Sequence, residues 1–193
     1  LSQMDVVALN QKIPELVTLK MRALQGDPSL TEIEKARLTL VAPYNLDAWD
    51  GYAAEREALY ATLRKVDKKV VVLAGDTHNA WASDLYNQSG AHVGLELATS
   101  SVSSPGLEKY LNIPLAQLQQ FELAFRTLID ELNYCNLNQR GYLTVHFTAQ
   151  QMQANWVFVN TIKDRQYTVD HDRSYQVLVD SMLNDIKAEP KIA

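Results

Sequence analysis

An aspartate and a histidine two residues apart, Asp76 and His78, follow an apolar run that closes on glycine: Val70-Val71-Val72-Leu73-Ala74-Gly75. A carboxylate oxygen and an imidazole nitrogen at this spacing can serve neighbouring cations. Hard metals take the oxygen, and borderline metals accept either donor. Asn79 and Trp81 come next and could orient such ligands or shape the pocket around them. Taken alone, Asp76 also suits the cap of a following helix, and His78 an ordinary hydrogen-bonded histidine.

Other residues of chemical interest read differently. His92 fits the edge of a strand, and His146 alternates away from Leu143, Val145 and Phe147, as a hydrogen-bonded sheet histidine would. Asp170-His171-Asp172 imitates a metal cluster but lies in a polar, turn-like stretch that reads as a solvated loop. Ser100 to Ser104 offers hydroxyls without a nucleophile elbow or an evident base, so a flexible loop beside the pocket is expected. Arg140, before Gly141 and Tyr142, suits pinning a turn or pairing with a carboxylate better than binding phosphate. Cys135 is the only cysteine, which excludes an intrachain disulfide and a thiolate cluster and suits a buried thiol.

These side chains need a scaffold. Val70–Ala74 is apolar without alternation, which predicts a strand covered on both faces, with ligands gathering beyond its carboxyl end. A second strand is expected over Val93–Thr99. Residues 5–9 are a mixed apolar-polar stretch, and a short helical pattern runs after Pro14 through Leu16, Leu19 and Ala23 to a turn at Gly26-Asp27-Pro28. A helix from Ser29 to Leu40, capped by Ser29 with Glu32, is followed by a loop at Pro43–Asp47. Trp49 to Val66 is helical, with Tyr52, Leu59, Leu63 and Val66 on one stripe, and ends in a charged turn at Asp67-Lys68-Lys69. Leu111 to Leu132 is helical around Pro114. After Asn133 the period becomes two, giving a hairpin of Tyr142–Thr148 with a strand bearing Ala154, Trp156 and Phe158, and another strand over Ser174–Val179. Helices and strands mix throughout, which sets the class as α/β or α+β with a central sheet.

Gly75-Asp76-Thr77-His78-Asn79-Ala80-Trp81 resembles the late metal-binding motif of PhoD-like phosphatases of the metallophosphoesterase superfamily. The segment Pro43-Tyr44-Asn45-Leu46-Asp47-Ala48-Trp49-Asp50-Gly51-Tyr52, followed by Glu55-Arg56, is similar to the one that precedes that motif in the family. Glu96 through Gly106 resembles its next strand and loop, and Arg140-Gly141-Tyr142 with the hairpin to Trp156 its closing region. The resemblance implies an α/β fold, part of a four-layer α/β/β/α sandwich with mixed sheets, of which residues 1–193 form the C-terminal portion. It implies metal-assisted hydrolysis of a phosphate ester, with iron (Fe3+) and calcium (Ca2+) or other divalent metals as cofactors. Asp76 would face calcium and His78 iron, while Asn79, Trp81 and Trp49 would shape the surroundings. It also implies a periplasmic or secreted location, although no signal peptide is visible.

The family's earlier ligands belong to Gly-Asp and Gly-Asn motifs on strands; in residues 1–69 the one Gly-Asp pair, Gly26-Asp27, reads as a turn, and no Gly-Asn occurs. Two donors are too few to hold two or three cations, so the chain alone is expected to be a poor catalyst that needs the missing N-terminal half of the fold as partner. A noncatalytic binding or scaffolding module is the competing expectation; a stand-alone serine or histidine hydrolase lacks its elbow. Composition narrows the field further. In 193 residues, 18 basic and 23 acidic side chains leave a net charge of −5, which disfavours general nucleic-acid binding. No run of about 18 apolar residues occurs, so no membrane span is expected.

Overall fold

The computed structural model describes residues 6–39, 46–66, 68–149, 151–180 and 187–189, with side chains described outside 6–11 and 171–189. Two four-stranded sheets lie face to face. The first has strands β1 (Val71–Ala74), β2 (Ala80–Tyr86), β3 (His92–Ala98) and β4 (Leu132–Asn136) in the order β1-β3-β2-β4. β1 runs parallel to β3, and the remaining pairs are antiparallel, so this sheet is mixed. The second is wholly antiparallel, in the order β5 (Arg140–Phe147), β6 (Gln151–Val159), β7 (Val169–Asp180) and β8 (Lys187–Glu189).

Period-two alternation decides what lies between the sheets. Ala80 and Ala82 of β2, Leu95 and Leu97 of β3, and Met152, Ala154, Trp156 and Phe158 of β6 form one buried cluster. The small alanines leave room for the indole of Trp156, whose Nε1–H donates to the Ala98 carbonyl at 2.8 Å. A buried tryptophan thus satisfies its one polar atom across the two sheets.

The opposite face of the first sheet is covered by helices. α1 (Val6–Leu24) and α5 (Leu118–Leu128) bury Ile13, Leu118, Phe121 and Ala124 with Leu132, Cys135 and Leu137. α3 (Ala53–Lys65) leans on β3 over the same face. Helix, sheet and sheet are three of the four expected layers. No helix covers the outer face of the second sheet among the described residues.

Several expectations need correction. α1 is one helix passing through Pro14, not a mixed stretch followed by a short helix. α2 (Glu32–Thr39) starts later than expected and is capped by Thr31. Thr31 Oγ1 accepts the Glu34 N–H at 3.2 Å while Glu34 Oε2 accepts the Thr31 N–H at 2.8 Å, a reciprocal capping box. Ser29 is engaged instead by Asp27, whose Oδ1 takes both its N–H and its hydroxyl. The stripe of α3 also faces the other way. Tyr52, Leu59 and Val66 are exposed, and Tyr60 is the buried residue. β1 is an edge strand whose Leu73 is 55% exposed, so it is not covered on both faces.

β2 and β4 went unpredicted, and the helix in Leu111–Leu132 is confined to α5 after a 3-10 turn at Leu115–Gln117. The hairpin of β5 and β6 matches expectation, as does the strand over Ser174–Val179, which lies within β7. The loop at 43–45 and Asp67 fall outside the described residues.

Candidate functional site

β1 ends at Ala74, and the chain turns through Gly75–Asn79 before β2 begins. Asp76 and His78 both adopt left-handed backbone, with φ of 62° and 63°. L-residues with a Cβ avoid this region at a cost of about 1–2 kcal/mol each, and such strain concentrates where function fixes the backbone. Alternating the backbone around Thr77 brings the chain back antiparallel to β3 within a few residues.

Hydrogen bonds over-determine the turn. Thr77 Oγ1 accepts the Trp81 indole N–H at 2.6 Å and donates to the Asn79 carbonyl at 3.1 Å. Asn79 is buried; its Nδ2 donates to the Thr77 carbonyl at 2.8 Å and its Oδ1 accepts the Leu107 N–H at 3.0 Å. Leu107 opens α4 (Leu107–Tyr110), so Asn79 ties the turn to the segment that follows β3. A Cβ at Gly106 would collide with Asn79 Oδ1 and the Leu137 carbonyl, so only glycine lets the two segments approach this closely.

His78 Nδ1 lies 3.0 Å from the Pro105 carbonyl oxygen. A carbonyl only accepts, so Nδ1 carries the proton, and in the neutral ring the lone pair lies on Nε2. This second-sphere bond is the usual way a ligating histidine is set in orientation and tautomer. The Asp76 carboxylate is exposed and has no hydrogen-bond partner among the described residues. The two donors therefore suit cation binding in type, tautomer and availability. They are not sufficient: no group of three or more His, Cys, Asp or Glu side chains gathers among the described residues.

The surrounding candidates divide. Asn79 and Trp81 brace the turn. The Trp81 ring stands edge-on to Phe125 at 6.4 Å and packs against the helix-facing core. Trp49 sits half-exposed on a 3-10 turn at Trp49–Gly51 against α3, with no hydrogen bond or ring contact to the 76–79 turn among the described residues. His92 Nε2 meets Asp84 Oδ1 at 3.2 Å, as a strand-end histidine. His146 faces solvent on β5 without a partner among the described residues, so it is not hydrogen-bonded as expected. Asp170 accepts a hydrogen bond from Gln139 at the start of β7; the stretch 170–172 is strand, not loop, and the side chains of 171 and 172 lie outside the described residues. The serine stretch is tied down, with Ser101 Oγ accepting the Ser104 N–H at 2.8 Å. Cys135 is buried as expected, and its thiol donates to the Glu122 carbonyl.

Sequence reasoning missed Thr77, Pro105 and Glu108. The last forms a buried ion pair with Arg140 at 2.7 Å, the carboxylate pairing expected of that arginine. Only the Pro105-Gly106 pair carried a local signal, that of a turn. Elsewhere, burial pushes the Glu96 carboxyl above its ordinary range, with the nearby Asp50 charge adding to the effect.

The molecule is thus a two-sheet α/β sandwich with an oxygen and a nitrogen donor at a strand tip. The chain belongs to the PhoD-like phosphatase family, whose profile matches residues 6–156. It is 38% identical over 68 residues to alkaline phosphatase D of Bacillus subtilis (strain 168), a match covering 33% of this chain and 12% of that protein. Its fold is similar to the structure titled "Structure of PhoD", with a TM-score of 0.58 and 21% identity over 75% of this chain and 27% of that one. The chain thus spans well under a third of the length of either relative. No described helix is long and apolar enough to cross a membrane.

Proposed function

We propose that this chain supplies one arm of the metal centre of a phosphate-ester hydrolase, a phosphodiesterase or alkaline phosphatase, as the C-terminal portion of a longer fold. The observation that carries the reading is the strained turn after β1, which leaves the Asp76 carboxylate without a hydrogen-bond partner among the described residues and engages His78 through Nδ1 alone, while Thr77 and Asn79 brace the turn. Family membership supports the phosphate ester as substrate class. Asp76, a hard oxygen donor, suits calcium, and His78 suits iron; other divalent metals fit the same donors. When bound, such cations neutralise phosphoryl oxygens and make a water acidic enough to attack at neutral pH. The remaining ligands come from the N-terminal half of the fold. By the same resemblance the protein acts in the periplasm or outside the cell.

The protein's own residues have definable tasks. Pro105 fixes the tautomer and plane of His78, Thr77 holds the turn's centre through Trp81, and Asn79 bolts it to Leu107. The competing reading, a noncatalytic scaffolding module, rests on the absence of a third donor among the described residues. Metal analysis of the purified full-length protein separates the two. Iron and calcium should be present, Asp76→Ala or His78→Ala should lower their occupancy, and bis-aryl phosphate should be cleaved. A full-length protein that is metal-free and inert sinks the hydrolase reading.

A further inference from the structure

Pro105, whose carbonyl meets His78, also lines a cleft of about 680 Å³ bounded by the segments around 103–115, 138–140 and 159–163, to which Asp76 and His78 do not contribute. This volume falls in the range of small-molecule sites, roughly 300–1,000 Å³. The chain is acidic overall, yet the charged residues lining the cleft are Lys109, Arg140 and Lys163 against Glu108 alone. Arg140 and Glu108 neutralise each other at 2.7 Å, their side chains only 9% and 11% exposed. Lys109 and Lys163 are exposed and reach no carboxylate among the described residues, so the described lining carries a net positive charge. Low-dielectric walls focus such a field and favour an anion.

The back wall is unfinished. Three atoms of lining residues, the donor Arg140 Nε and the acceptors Asn138 Oδ1 and Glu108 Oε2, are buried and have no hydrogen-bond partner among the described residues. Buried polar atoms without partners are rare, and a ligand or ordered water is the usual answer. The remaining lining includes Ile113, Leu115, Val159 and Ile162, and no aromatic residue. Such a surface packs against an aliphatic body and offers no ring on which a base or aryl group would stack.

We propose that this cleft is a binding site for a small aliphatic oxyanion, a phosphate or carboxylate head on a non-aromatic apolar body. Lys109 and Lys163 receive the charge, and the Ile113–Val159 side receives the body. The site is separate from Asp76 and His78 and needs no metal.

The test is calorimetric or NMR titration of the chain with n-butyl phosphate, in chelator, with phenyl phosphate, inorganic phosphate and butyrate as comparisons. Saturable binding of n-butyl phosphate is expected, tighter than that of inorganic phosphate and weakening as salt rises. Lys109→Gln with Lys163→Gln should weaken it about tenfold, since each mouth charge acts at close range on the head group. Both lysines are exposed, so the double variant should fold, and Asp76→Ala should bind as the parent does. Butyrate binding in place of phosphate would assign the head group as carboxylate and still support the site. No saturable binding of either head group, binding indifferent to the lysines, or equal affinity for inorganic phosphate and its butyl ester would each overturn the proposal.

Discussion

Replacing Asp76 by glycine should stabilise the fold while removing a metal donor. At φ of 62° the residue holds a conformation that costs an L-residue about 1–2 kcal/mol, and glycine occupies it freely. The added freedom of glycine in the unfolded chain takes back about 0.4–1 kcal/mol. Asp76 makes no hydrogen bond among the described residues, so no contact is lost. The balance is a gain of about 0.5–1 kcal/mol, or about 1–4 °C in melting midpoint for a chain of this size. His78→Gly relieves the same strain at φ of 63° but loses the bond to the Pro105 carbonyl, worth about 1 kcal/mol, and should come out near neutral. Asp76→Ala keeps the strain without compensation and should not stabilise. Thermal unfolding of the three variants in chelator measures this order. If Asp76→Gly melts below the parent by several degrees, the turn is not strained and the functional reading of its backbone fails.

Removing one partner of the buried Arg140–Glu108 pair should be severe. Glu108→Gln or Arg140→Met leaves an uncompensated charge or an orphaned acceptor and should cost about 3–5 kcal/mol, while the double variant recovers much of it; urea unfolding checks both. Thr77→Val removes the acceptor for the Trp81 indole and should cost about 1–3 kcal/mol and lower metal affinity in the full-length protein, read by unfolding and metal titration together. Glu96 titrates above its ordinary value because burial disfavours its charge. The folded state therefore loses stability as pH rises from the unfolded value through the raised one. Glu96→Gln should melt higher than the parent at pH 8 and converge with it near pH 4, as paired melting curves would reveal.

What the sequence disclosed was local. The glycine-terminated apolar run located the strand tip and its two donors, and alternation exposed the β5–β6 hairpin. β2 was hidden because its core face carries Ala80 and Ala82, small residues chosen to fit Trp156 some seventy positions later. β4 was hidden because Leu132–Asn136 continues the composition of α5 and becomes a strand only by pairing with β2. Tertiary partners override local preference in both cases. The His78–Pro105 bond was equally invisible, since it joins segments 27 residues apart through a backbone carbonyl. The outward stripe of α3 and the exposed Leu73 show where apolar patterning alone misleads about what is covered.

The most direct measurement is paramagnetic broadening of histidine ring signals as manganese is titrated into the metal-free chain. If the turn after β1 is built to present Asp76 and His78 to a cation, the His78 ring should broaden at lower manganese than those of His92 and His146, and Asp76→Asn should abolish the difference. Equal broadening of the His78, His92 and His146 rings, or a preference that survives Asp76→Asn, would contradict the account.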